Sequence, residues 1–302
     1  MKYYPECIKE ENEPIFTSLD QVKRAIESKE IFESKVVMCD KDHNLHIDLG
    51  IIRGIIPRNE GALGILEGTV RDIALISKVN RCVCFRIIGI HRDEYGTAYA
   101  ILSRRNVQLE CLHNYIDNLA LGDVIPARVT HLESFGAFID VGCGINSLIP
   151  IDMLSVSRIS HANQRLKEGQ LIYVALKNRD KNKLTFTLKE LLGTWQENAD
   201  EFAIGETVTG VVRSIEDYGV FIELMPNLAG LAEPCDELVI GSSVSVFVKS
   251  IIPDKMKIKL VIVDKFDDQA EPKKLKYYNE TDHIDMWQYS PDDANKYVYT
   301  EF

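Results

Sequence analysis

From Glu33 onward the chain breaks into short apolar and β-branched runs separated by polar and turn residues, the pattern of strands. The runs Val36–Cys39, Leu45–Gly50, Ile51–Pro57, Val79–Ile90 and Tyr99–Leu102 predict one set of strands. A second set falls at Val124–Thr130, Ala137–Val141, Ser147–Pro150, Leu171–Leu176 and Leu184–Leu188. Helical spacing is confined to short pieces. Leu19, Val22 and Ile26 recur behind a Ser18 cap, predicting a helix over Ser18–Glu27, and Lys189–Asp200 reads as a helical linker.

Five short strands joined by turns and one longer connection suit a small Greek-key barrel of the OB type. The pattern also repeats. Glu133-Ser-Phe-Gly-Ala-Phe-Ile-Asp140 is answered by Glu216-Asp-Tyr-Gly-Val-Phe-Ile-Glu223, and Gly122/Gly205, Phe135/Tyr218, Phe138/Phe221 and Leu148/Leu231 all stand 83 positions apart. A fixed offset through apolar and glycine positions is the trace of a duplicated unit.

Composition bounds the reading. With 302 residues, 45% hydrophobic and 27% charged, the chain accommodates two or three globular domains. No apolar run is long enough to span a bilayer and the first residues lack a secretory signal, so a cytoplasmic protein without membrane contact is expected. The seven cysteines form no CxxC pair and are expected to be reduced, mostly buried thiols. A net charge of -11 argues against nonspecific duplex binding. The acidity is uneven, however: residues 120–192 carry 9 basic and 7 acidic side chains, 201–264 carry 5 and 10, and 265–302 carry 5 and 9. Local recognition of single strands by stacking remains open.

Residues three apart on a strand face opposite sides, so Phe135 and Phe138 act together only if something intervenes. A bulge at Gly136 is expected to bring both rings to one face, with Ile139 and Val141 inward and Phe138 and Asp140 outward. Two such rings form a platform for unpaired bases; packing inside a barrel is the alternative. The hairpin Lys177-Asn-Arg-Asp-Lys-Asn-Lys183 places Lys177, Arg179, Lys181 and Lys183 beside that platform, either to follow a phosphate backbone or as a solvated turn. Arg104 and Arg105 are candidates for phosphate contacts or for salt bridges to acidic neighbours. Trp195 reads as a packing anchor between modules. HExxH, GxSxG, Walker and dinucleotide motifs are absent, so neither an enzyme nor a cofactor or metal site is expected.

The blocks Gly122-Asp-Val, Phe135–Gly142, Glu168–Val174 and Lys183–Lys189 resemble successive parts of the S1 RNA-binding domain, the family named for bacterial ribosomal protein S1. Gly205–Val208, Tyr218–Leu224, Ala229–Pro234 and Gly241–Val246 repeat them, and residues 34–119 resemble a degenerate third copy with extra sequence from Gly61 to Val79. The resemblance implies a mainly β chain of tandem five-stranded OB barrels: a helical lead-in at 1–33, domains at 34–119, 120–192 and 202–264, a helical linker at 193–201, and an extended tail at 265–302. It also implies single-stranded RNA, messenger or ribosomal, as partner, with the ribosome as a further one, in translation or messenger handling.

By that resemblance, strand-2 aromatics, a strand-3 histidine, and an acid and a base near the last hairpin read RNA. Phe135, Phe138, Asp180 and Lys183 fill these roles in one copy and Tyr218, Phe221, Asp254 and Lys257 in the next. Pro150 and Glu233 occupy the histidine position. In the first copy His43 and His46 fall at the aromatic positions and Pro57 at the histidine position, followed by Arg58; Asp40–Asn44 also reads as a plain polar turn. Departures from the full set leave a second reading, a protein-interaction scaffold that contacts a ribosomal, polymerase or nuclease partner. The tail, acidic yet rich in rings from Tyr277 to Phe302, is expected to pack on its own barrels or on a partner, and covering Tyr218 and Phe221 would make it a competitor for RNA.

Overall fold

The computed structural model describes residues 3–8, 15–180, 183–235 and 237–302, apart from the side chains of Asp267 and Gln269. It is mainly β, 43% strand and 16% helix. Strands β1 (Phe32–Cys39), β2 (Leu45–Asp48), β3 (Arg53–Ile56), β4 (Cys82–Arg92) and β5 (Ala98–Ser103) close one barrel. A second comprises β6 (Val124–Glu133), β7 (Gly136–Asp140), β8 (Asn146–Pro150), β9 (Leu171–Asp180) and β10 (Lys183–Thr187). The third is built from β11 (Thr207–Glu216), β12 (Gly219–Met225), β13 (Leu228–Ala232), β14 (Ser242–Ile252) and β15 (Lys257–Gln269).

In each barrel the strands follow the cyclic order first, second, third, fifth, fourth, and the third and fifth run parallel. That is the five-stranded Greek-key closure of tandem OB barrels. Several strands exceed their apolar runs, because ladder bonds continue through the polar ends of hairpins; β9 reaches Asp180 and β15 reaches Gln269.

By contacts the chain forms two compact units. The first comprises Met1–Leu119 with Asp140–Asn146, and the second Ala120–Ile139 with Ser147–Phe302. In the first, helix α1 (Leu19–Ser28) begins at Ser18, which forms a capping box with Gln21 and aims Val22 and Ala25 inward. Helix α2 (Ile73–Ile76) lies in the extra sequence between β3 and β4. Helix α3 (Arg105–Asn114), which no sequence signal marked, buries Val107, Gln108 and Cys111 along one side.

In the second unit, helix α4 (Trp195–Ala199) starts at a Thr194–Glu197 capping box. Trp195 is 2% exposed within the core of the third barrel. Ile284, Trp287 and Tyr289 of the tail join that same core, and β16 (Met286–Gln288) pairs with β17 (Tyr299–Glu301). Three of the seven cysteines, Cys84, Cys111 and Cys143, are buried and the others half-buried. No described helix is long and apolar enough to cross a membrane.

Candidate nucleic-acid interface

Phe135 does not belong to a strand. Ser134 and Phe135 form a two-residue turn between β6 and β7, and β7 opens at Gly136. The rings of Phe135 and Phe138 meet edge to face, centroids 5.9 Å apart at 89°. The third barrel repeats this with Tyr218 in the turn and Phe221 on β12, at 6.2 Å and 88°. Phe135 is 53% and Tyr218 66% exposed, so the tail does not cover Tyr218.

The expected bulge at the glycine is therefore replaced by a turn, which frees the first ring from strand alternation. Pairing of β11 with β12 instead skips Arg213, placing the irregularity on the opposite strand. Glycine is required for a different reason. A Cβ at Gly136 would lie 2.2 Å from the Ile149 carbonyl oxygen, and one at Gly219 would lie 2.5 Å from that of Ala232.

Register then fixes what lies beside the rings. Phe221 pairs with Leu231, Leu231 with Lys259, and Lys259 with Ser250, a row across four strands on the outer face. Two strand spacings, about 10 Å, separate Phe221 from Lys259. Corresponding rows read Leu148, Thr185, Asn178 in the second barrel and His46, Ile55, Ile101, Gly89 in the first. On the fourth strand of each, pairing skips one residue at this level: Ile88, Lys177 and Lys249.

A skipped residue is re-aimed by its bulge, and Lys177 shows the consequence. Its Nζ donates to the Glu301 carbonyl oxygen at 2.7 Å and lies 4.7 Å from the centre of the Phe302 ring. Burial lowers its ammonium below the ordinary lysine range. Lys183 and Asp180 are exposed and Arg179 half-buried; Lys181 lies outside the described residues. In the third barrel Lys257 is exposed, while the half-buried Asp254 accepts from the tail's Asn295 through its carbonyl oxygen, at 2.9 Å from the backbone N–H and 3.1 Å from Nδ2. Lys249 and Lys259, also exposed, were missed by sequence reasoning; the alternation Lys257-Ile-Lys259-Leu was the available signal.

Residues 118–188 match the family model of the S1 RNA binding domain. The second barrel is an S1 domain. Over 259 residues the chain is 26% identical to the small ribosomal subunit protein bS1 homolog of Bacillus subtilis, covering 80% of this chain and 65% of that protein. It is 28% identical over 234 residues to small ribosomal subunit protein bS1 of Leuconostoc lactis, covering 72% and 52%. It thus spans about half to two thirds of these relatives. A solved multidomain protein with nucleic acid binding domains from Streptococcus pneumoniae overlaps at 12% identity and a TM-score of 0.26, covering 78% and 73%, which is too weak to carry an argument.

Beside the S1 domain's open rings, the first barrel's candidates are engaged internally. His43 sits in the polar turn with φ 63°, and His46 contacts the Asp40 carboxylate at 2.9 Å. Burial would raise the Asp40 carboxyl, but His46 and the backbone N–H groups of Asn44 and Asp42 hold it well below the usual range. Arg105 pairs with Glu67 at 2.9 Å, which is its salt-bridge reading, and Arg58, expected only as an RNA contact, pairs with Asp72 at 2.7 Å.

Arg104 must be withdrawn as a phosphate ligand. It is 2% exposed and donates to Glu6 at 2.7 and 2.9 Å and to the Gly61 and Gly144 carbonyls. Asp140, expected outward, is likewise buried, accepting from the backbone N–H groups of Glu6, Gly142 and Gly144. Burial and the neighbouring Glu6 charge push its carboxyl up.

The S1 domain and the third barrel share one compact unit, and an ion cluster joins them. Glu223 is fully buried, receiving two bonds from Arg165 at 2.8 Å and two from Arg213 at 2.8 and 3.1 Å. Burial would raise its carboxyl, yet the two guanidiniums outweigh that and lower it. Tail residues run along the S1 domain too: Val124 N–H donates to Asp282, Ile284 N–H to Gly122, and His283 meets Asp123 at 2.6 Å. Among the described residues no group of three His, Cys, Asp or Glu side chains is placed to hold a metal ion.

Proposed function

We propose that this chain binds single-stranded RNA by stacking bases on Phe135 and Phe138, with Lys183 and Arg179 following the phosphates. The observation that carries this is the edge-to-face ring pair, Phe135 exposed in the turn before Gly136 and Phe138 half-buried on β7, in the barrel that matches the S1 RNA binding domain. Tyr218 and Phe221, with Lys257 and Lys259, extend the track within the same compact unit. The match to the S1 RNA binding domain supports RNA as ligand, and relatives named small ribosomal subunit protein bS1 support the ribosome as a setting, with messenger or ribosomal RNA as the proposed strand. Lys177 is engaged by the tail and contributes only when the tail lifts.

A second reading, a protein contact through the third barrel, is favoured by the exposed Glu233 in the position where the resemblance calls for a histidine. A salt titration with a fluorescent, unstructured RNA separates the two. Each stacked base contributes about 1 to 3 kcal/mol, so Phe135→Ala/Phe138→Ala should weaken binding by at least about tenfold with the salt slope unchanged. Absence of binding by the wild type at low salt overturns the proposal.

A further inference from the structure

The acid two residues beyond the strand-2 aromatic position occurs in all three barrels, as Asp48, Asp140 and Glu223, and its surroundings differ. Glu223 is covered by Arg165 and Arg213, and Asp140 is buried. Asp48 is exposed, and a row of exposed and half-buried side chains runs across the strands from it. That row is Asp48 on β2, Arg53 on β3, Tyr99 on β5 and His91 on β4, each paired with the next. Asp48, Arg53 and His91 are exposed and Tyr99 half-buried. The rings of Tyr99 and His91 lie 6.1 Å apart at 38°.

Tyr99 stands two residues before Ile101, as Lys183 does before Thr185 and Lys257 before Lys259. The first barrel therefore presents a ring where the other two present a lysine. Its own strand-2 positions are weak: His43 lies in a polar turn and His46 is tied to Asp40. Two residues along a strand cover about 7 Å, so Tyr99 and His91 form a platform displaced by one outer row from the Phe135/Phe138 type. Arg53 on the neighbouring strand supplies a cation beside the rings; Asp48 is one strand further away, and its Oδ1 accepts from Gly50 N–H.

We infer that Tyr99 and His91 form a second base-stacking site for single-stranded RNA, with Arg53 as its phosphate or cation–π partner. This rests on the proposed RNA reading. An aromatic pair beside an exposed guanidinium fits a base and its phosphate better than an apolar protein surface.

The test uses the full chain and two unstructured RNAs, one of about 6 nucleotides, within one barrel's site size, and one of about 18, long enough for a second. Tyr99→Ala/His91→Ala should weaken the longer RNA by about tenfold and leave the shorter unchanged, Tyr99→Phe should restore binding, and Arg53→Gln should weaken the longer RNA with a shallower salt slope. Unchanged affinity in Tyr99→Ala/His91→Ala, with loss in Phe135→Ala/Phe138→Ala, overturns the second site alone. No loss in either double variant overturns both readings. Should Tyr99→Ala/His91→Ala melt early, photo-crosslinking of the longer RNA to wild type decides: an adduct on the Tyr99 or His91 peptide supports the site, and its absence overturns it. Equal loss in Tyr99→Phe and Tyr99→Ala also overturns it, since a ring would then not be what binds.

Discussion

Replacing Glu223 by glutamine preserves shape and removes one charge, which isolates what that charge does. The carboxylate is fully buried and accepts four bonds from two guanidiniums, of which Arg165 is fully buried and Arg213 10% exposed. Glutamine turns one acceptor oxygen into a donor facing donors and leaves two cations without their counter-charge. Breaking one side of a buried pair costs roughly 3 to 5 kcal/mol, because the surviving charge stays desolvated. Against a typical stability of about 5 to 15 kcal/mol, this is a large fraction.

The assay is urea unfolding followed by tryptophan fluorescence, since the chain's two tryptophans, Trp195 and Trp287, both lie in the core of the third barrel. Arg165→Met/Arg213→Met/Glu223→Leu, which removes the carboxylate and both of its cations, should cost about 1 kcal/mol or less. A carboxyl held below its unfolded value contributes stability above the unfolded value and loses it as pH falls through the folded one. Wild type should therefore lose stability in acid through a component that Glu223→Gln lacks. A loss below about 1 kcal/mol for Glu223→Gln at neutral pH would refute the reasoning.

Three further outcomes follow from single sites. Gly136→Ala should destabilise by roughly 1 to 3 kcal/mol and weaken RNA binding through Phe135, because its Cβ meets backbone atoms; denaturation and anisotropy measure the two. Trp287→Ala should cost about 3 to 5 kcal/mol and make the tail protease-sensitive, since this ring is 7% exposed within the third barrel's core. The Asp123 carboxylate raises His283, so its contribution is present below the unfolded histidine value and lost as pH rises through the folded one. Hydrogen exchange at the Val124 and Ile284 amides should accelerate with pH beyond the intrinsic rate, and His283→Gln should abolish that excess.

What the sequence conveyed and what it withheld divide along contact distance. Strand alternation and the 83-residue offset are local or periodic, so barrels were legible from them. The need for glycine before the platform was legible as well, although the cause is a carbonyl on the next strand and a turn at Phe135, not a bulge. Asp140 was misplaced because alternation sends it outward, while a partner 134 positions away covers it. Of the two readings of Arg104 the salt bridge holds, but it is buried and its carboxylate, Glu6, lies 98 positions back, so the partner was not legible. The aim of Lys177 escaped notice because a bulge, invisible in one strand's pattern, decides it.

The three barrels then differ less in their rings than in what happens one outer row further on. On β12 the ring Phe221 and the acid Glu223 point the same way, two residues apart, so the ion cluster joining this barrel to the S1 domain is built on the strand that carries the platform. Any shift of that joint moves both rings relative to Phe135 and Phe138. On the proposed stacking, two platforms fixed in one unit pay the cost of alignment once, during folding, and an RNA that spans both would bind the second intramolecularly. Loosening the joint with Glu223→Gln should therefore reduce affinity for a long RNA more than for one that covers a single barrel, even under conditions where both barrels stay folded.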